Sequence, residues 1–182
     1  MRVSARPTTL VHSMLPLKVL TVFYVLMNCA VVVASKLQDS TCTQLDSCSC
    51  TFGNGTLLDL SPLAFKSRPR FVLDGIQFQY LYNPCYNFTF GECENVSMCQ
   101  YQNVAGNYFV LGTQDSAYFV TDTDDDHIVF LLYSHTDSYG FTRHTTVQLV
   151  CSNQTTDDFI FLGEHTLRTY VFMLVSPHCC AK

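Results

Sequence analysis

Thr145-Thr-Val-Gln-Leu-Val150 and Tyr170-Val-Phe-Met-Leu-Val175 decide the fold class. Both are short, rich in β-branched and aromatic residues, and lack a 3.6-residue apolar stripe, so both predict strands. Working outward, the same character recurs in Arg70-Phe-Val-Leu-Asp74, Ile76-Gln-Phe-Gln-Tyr-Leu-Tyr82, Tyr108-Phe-Val-Leu111 and Ile128-Val-Phe-Leu-Leu-Tyr133. The breaks between them carry turn chemistry: Asp74-Gly75, Asn83-Pro84, Gly106-Asn107, Ser138-Tyr-Gly140 and Asn153. No stretch of useful length reads as an amphipathic helix, and Leu57–Ala64 holds a helical turn at most. Short strands between turn signals predict an all-β sandwich or flattened barrel.

The 182 residues divide into a leader and one domain. Residues 19–34 form an uncharged apolar run behind Lys18, Arg2 and Arg6, with small Ala34 and Ser35 at its end. That is the pattern of a secretory signal peptide over residues 1–35, and Met14 gives a tidier start. An uncleaved anchor is the competing reading, for which the run is short. Removing Arg2, Arg6 and Lys18 takes the net charge from −5 to −8. Lys36–Lys182 then reads as a single domain with nine cysteines. Cysteines at this density fit an oxidising compartment. Asn54, Asn87, Asn95 and Asn153 each open an Asn-x-Ser/Thr glycosylation signal. The expected location is the secretory-pathway lumen (endoplasmic reticulum, Golgi or endolysosome) or the exterior. Membrane association is expected only if the leader stays attached or the chain is a receptor fragment.

Several classes of function lack their residues. An acidic chain without a Lys/Arg stripe does not suit nucleic acid. The acidic run Thr121–His127 has His127 and Tyr133 where a calcium loop needs Gly and Glu, so it reads as a hairpin tip. Cys48-Ser-Cys50 and Cys179-Cys180 do not have zinc-knuckle spacing, and no metal or cofactor is expected. Nucleophile-elbow, zincin and phosphate-loop motifs are missing. Glu164 with Asp137 or Asp158 makes at best a glycosidase pair that nothing in the sequence brings together. The protein is therefore expected not to be an enzyme.

The order of the cysteine segments is more specific. It runs Cys48-Ser-Cys50, Leu58-Asp-Leu-Ser-Pro-Leu-Ala64, Tyr82-Asn-Pro-Cys85, Cys93-Glu-Asn-Val-Ser-Met-Cys-Gln100 and Tyr108-Phe-Val-Leu-Gly-Thr-Gln114. Arg143-His-Thr-Thr-Val-Gln-Leu-Val-Cys151, Gly163-Glu164, Tyr170-Val-Phe-Met-Leu174 and Ser176-Pro-His-Cys179 complete it. From about Cys42 to Cys180 this succession resembles the mannose 6-phosphate receptor homology (MRH) lectin domain.

The resemblance implies a flattened barrel of two crossed antiparallel sheets held by disulfides. It also implies a sugar site of Gln100, Arg143, Glu164 and Tyr170, with Gln114 a weaker rival for the Gln role. Such a set supplies fixed donors, acceptors and an aromatic body around adjacent ring hydroxyls. The implied partners are mannose-bearing glycans or glycoproteins. Phosphomannose is less favoured, because Ser134–Thr142 lacks a distinctive phosphate pattern, though Asp137 and His135 lie there. The alternative function is an interaction or sorting module of the same fold without sugar binding. The family pattern implies a Cys151–Cys179 bridge with Cys180 left over, and Cys85–Cys93 is a plausible local pair. Spacing leaves the remaining connectivity open.

Overall fold

The computed structural model describes Tyr24 and residues 41–122 and 128–182. The expected leader, Tyr24 apart, and residues 123–127 of the acidic run lie outside the described residues. The chain divides after Leu37, and the strands belong to the unit Gln38–Lys182. No helix among the described residues is long and apolar enough to cross a membrane.

The chain opens with a small antiparallel sheet of β1 (Thr43–Gln44), β2 (Ser49–Thr51) and β3 (Leu57–Asp59). A four-stranded antiparallel sheet follows. It is built from β4 (Phe71–Asp74), β5 (Phe78–Tyr82), β8 (Met98–Gln102) and β9 (Tyr108–Gly112), in that spatial order. Between β5 and β8 the chain makes a separate ribbon, β6 (Phe88–Phe90) and β7 (Cys93–Val96). The second half forms a five-stranded sheet from β10 (Tyr118–Thr121), β11 (Val129–Thr136), β12 (Thr142–Cys151), β13 (Asp158–Thr166) and β14 (Thr169–Ser176). Its spatial order is β10-β11-β12-β14-β13.

The sheets are antiparallel, as expected, apart from one pair of strands in the second. β14 lies between β12 and β13 and runs parallel to β12, with Thr145 beside Tyr170 and Cys151 beside Ser176. The cause is local. β13 and β14 form a tight hairpin through Leu167 and Arg168, and the hairpin docks on β12 by its second strand. The connection of residues 152–157 therefore passes the end of β14.

Period-two alternation places one face of each large sheet in a shared core. Phe71, Tyr80 and Tyr82 from the four-stranded sheet meet Tyr133, Phe159 and Phe172 from the five-stranded one. Phe159 and Phe172 stack with centroids 5.1 Å apart, and Tyr82 stacks on Phe159 at 4.8 Å. Tyr82 and Tyr133 satisfy each other through hydroxyls 3.1 Å apart, as buried phenols must. The outer face of the four-stranded sheet is covered too. The β6–β7 ribbon packs Phe88, Cys93 and Val96 against Leu81 and Cys99.

Four disulfides form: Cys42–Cys50, Cys48–Cys85, Cys93–Cys99 and Cys151–Cys180. Two expectations are corrected. Cys85 bonds Cys48, while Cys93 closes a short loop with Cys99. At the C-terminus a 3-10 turn, Pro177–Cys179, points the Cys179 thiol into the core and brings Cys180 back to Cys151, with Cα atoms 4.5 Å apart. The set of bridges suits an oxidising, secretory-pathway compartment.

Cys179 is 5% exposed, and burial pushes its thiol up to about 12. A thiol needs its thiolate to react. Cys179 is therefore expected to resist iodoacetamide in the folded protein and to label at once in denaturant, read by mass spectrometry. Rapid labelling of the native protein would refute its burial.

Candidate functional site

Gln100 sits in the middle of β8, paired with Tyr80 on one side and Phe109 on the other. It is 3% exposed, and its Nε2 donates to the Tyr80 hydroxyl at 3.2 Å. Tyr80 packs against Phe161 with ring centroids 4.4 Å apart and the planes tilted by 31°, across the core from its own sheet. Burial pushes the Tyr80 phenol up to about 12 against the lowering bond from Gln100, and Tyr170 and Glu164 add smaller upward contributions. Those electrostatic partners place Gln100, Tyr80, Tyr170 and Glu164 in one neighbourhood.

The five-stranded sheet supplies the other side. Arg143 near the start of β12 and Tyr170 near the start of β14 lie at the same end because these strands are parallel. Glu164 is the register partner of Tyr170. Tyr170 is raised by burial and by the Glu164 charge, while the nearby positive charge of Arg143 pulls the other way.

Arg143 is held from two sides. Its Nη1 donates to Asp137 Oδ2 at 2.9 Å, and its guanidinium lies 5.1 Å from the Phe109 ring centroid. Asp137 Oδ1 accepts from the backbone N–H groups of Tyr139 and Phe141, each at 3.0 Å, which fixes the β11–β12 turn. The ion partner of Arg143 is thus Asp137. Glu164 is exposed and uses Oε1 to accept from the backbone N–H of Arg168 at 2.6 Å. That bond pins the β13–β14 turn, where Arg168 has φ 64° and its guanidinium lies 3.9 Å over Phe141.

The four expected residues are therefore gathered at one end of the two-sheet core. Gln114 is elsewhere, with its Nε2 donating to the Asn83 carbonyl at 3.1 Å. Sequence reasoning gave no role to Tyr80 or Phe109, since both alternate like core residues. It weighed Asp137 only as an acid or phosphate contact, not as the partner of Arg143. A groove of about 480 Å³ between β4 and β13, lined by Arg70, Phe71, Asp157 and Phe159 among others, contains none of the four. No group of three metal-ligating side chains occurs among the described residues. Of the sequons, Asn54, Asn95 and Asn153 are exposed, and Asn87 is half-buried. Asn54 Oδ1 accepts from both the backbone N–H and the hydroxyl of Thr56.

No family model matches the chain, and no curated protein matches it. Among solved structures, the MRH domain of Yos9 complexed with alpha3,alpha6-Man5 is similar over 60% of this chain and 75% of that one. The sequence identity is 12% and the TM-score 0.40. The chemistry of the site rests on this chain's own side chains.

The Arg143 bond first, then the backbone bond from Phe141, hold the Asp137 carboxyl below its ordinary value of 3.8. A depressed carboxyl contributes stability above its unfolded pKa and loses it as pH falls through the folded one. The Asp137–Arg143 pair should therefore stay intact across mildly acidic pH. Melting temperatures of the wild type and Asp137→Asn should differ by a constant amount from pH 7 to 5 and converge below about pH 4. Convergence already between pH 7 and 5 would show that the pair does not act this way.

Proposed function

We propose that this protein is a non-catalytic lectin that binds mannose-containing N-glycans in the lumen of the secretory pathway or outside the cell. The observation that carries the reading is the gathering of Gln100, Arg143, Glu164 and Tyr170, 70 positions apart at the extremes, at one end of the core. Arg143 supplies a fixed planar fork of donors, Glu164 an acceptor, Gln100 both, and Tyr170 a hydroxyl on an apolar ring. Tyr80 and Asp137 are positioning residues: one orients the Gln100 amide, the other the guanidinium. Neutral mannose is preferred over phosphomannose, because Arg143 is already neutralised by Asp137. The signal peptide over residues 1–35 and glycans at the exposed sequons Asn54, Asn95 and Asn153 belong to the same proposal.

A glycan array on the exported protein tests it, followed by titration of mannose ligands into single variants. Arg143→Ala is expected to lose about 2–4 kcal/mol of binding by removing charge-assisted bonds. Arg143→Lys should fail nearly as badly, because an ammonium cannot reproduce the fork. Circular dichroism would confirm that each variant is folded. A wild type that binds no mannose glycan, or a folded Arg143→Ala with full affinity, would sink the lectin reading.

A further inference from the structure

The fold pulls the sequon Asn95-Val-Ser97 apart. Asn95 is exposed at φ 57°, a left-handed conformation that asparagine accepts more readily than most residues. Ser97, two residues on, is fully buried. Its N–H donates to the Gly112 carbonyl at 3.0 Å, and its carbonyl accepts from the Asn83 N–H at 3.0 Å, so the chain holds it on both sides. Its hydroxyl has no hydrogen-bond partner among the described residues. A buried hydroxyl without a partner carries a cost that alanine would not, so the fold itself gives no reason for a serine here. A second constraint encloses the same sequon. Cys93 and Cys99, with a sequence separation of 6, are bridged around it with Cα atoms 6.1 Å apart. The same length of extended chain would span about 20 Å. The sequons at Asn54 and Asn153 differ. Thr56 Oγ1 donates to Asn54 Oδ1 at 2.8 Å, and Asn153 and Thr155 are both exposed.

We infer that Asn95 is a glycosylation site of the open chain alone: the glycan is attached before Cys93–Cys99 closes and Ser97 is buried, and the folded domain does not accept it. The inference rests on the export and glycosylation proposed above. An Asn-x-Ser acceptor must present its amide and its hydroxyl to one enzyme. In the fold the amide of this one faces water and the hydroxyl faces the core. In the transfer, Asn95 Nδ2 bonds the anomeric carbon of an oligosaccharide carried on a lipid pyrophosphate and loses a proton. The bond from that carbon to the pyrophosphate oxygen breaks, and the lipid pyrophosphate leaves with the electron pair. In the closure, two thiols give up two protons and two electrons to the disulfide of an oxidant, which becomes a dithiol. The order runs one way. A glycan on exposed Asn95 leaves the bridge free to close, whereas the closed bridge and the buried hydroxyl shut the sequon. The spacing makes the two events compete, because the sequon is complete at Ser97 and the second thiol, Cys99, follows two residues later. Ser97 is thereby accounted for: its hydroxyl acts before the fold exists.

The test offers the glycan-free full chain to an oligosaccharyltransferase with lipid-linked oligosaccharide, in two states. One sample is native and oxidised. The other is reduced and alkylated in denaturant, so that it stays unfolded after dialysis. Mass spectrometry reads each sequon. Asn95 is expected to be modified in the unfolded chain and left bare in the native one, while Asn153 is modified in both. A native domain that treats Asn95 and Asn153 alike, or an unfolded chain that leaves Asn95 alone bare, would overturn the inference. An unfolded chain modified at no sequon would sink the proposed glycosylation as a whole, and this inference with it. Ser97→Ala gives an independent check. Exported from cells, it should lack the Asn95 glycan. Compared glycan-free with the wild type, it should unfold at the same urea concentration or a higher one. A clearly lower midpoint would show that the hydroxyl serves the fold, and would overturn the assignment.

Discussion

Phe172→Ala is expected to destabilise the fold by about 3–5 kcal/mol, a large part of the roughly 5–15 kcal/mol typical of a domain. Phe172 is fully buried, and its ring meets Tyr80, Phe159 and Phe161 with centroids 5.0 to 5.4 Å away. These neighbours come from both large sheets, so the void would open where the sheets meet, between aromatic rings that cannot collapse far. Urea denaturation followed by tyrosine fluorescence measures the loss. A cost below about 1 kcal/mol would mean that the sheets do not meet there. Because Phe172 lies two residues from Tyr170 on the same face of β14, ligand affinity should fall as well.

The second large effect concerns the C-terminal bridge. Replacing Cys151 and Cys180 together by serine is expected to cost about 3–4 kcal/mol, from the freedom regained by a loop of sequence separation 29. Cys179→Ala should cost only about 1 kcal/mol, since it removes one buried sulfur and no covalent link. The ranking separates two pairings that neighbouring cysteines make hard to tell apart. If Cys151 bonded Cys179, Cys179→Ala would be the damaging change and Cys180→Ala the mild one. Chemical denaturation of the three variants under non-reducing conditions decides between them.

Those two residues also show where reading the sequence stops. The strands around Phe71–Asp74, Tyr108–Gly112 and Tyr170–Val175 were legible because burial on one face imposes a period of two. β13 was not, although Phe159 and Phe161 obey the same period. Its register breaks after Phe161 and again after Glu164, and Gly163 and Glu164 interrupt the pattern where the strand turns toward the site. The place of β14 between β12 and β13 depends on which edge a hairpin docks against, which no local pattern encodes. Cys179 and Cys180 are adjacent and chemically alike, so the 3-10 turn at Pro177 selects between them. In the site, Gln100, Arg143, Glu164 and Tyr170 were recognisable by order along the chain. Tyr80 was not, because a tyrosine between Phe78 and Tyr82 looks like one more core residue until its hydroxyl is seen at the Gln100 amide.

The parallel pairing of β12 with β14 has a consequence for biosynthesis. β14 is the last strand of its sheet to leave the ribosome, yet its place is interior. Until it arrives, β12 has an open edge and β13 no neighbour in the sheet, so neither can complete its pairing as it emerges. Tyr170 reaches Arg143 only with that final insertion, and the binding end of the molecule is assembled in the same step that closes the sheet. A nascent or damaged chain lacking β14 thus exposes unpaired strand edges and a half-built site together, the kind of surface that folding assistants and degradation machinery bind.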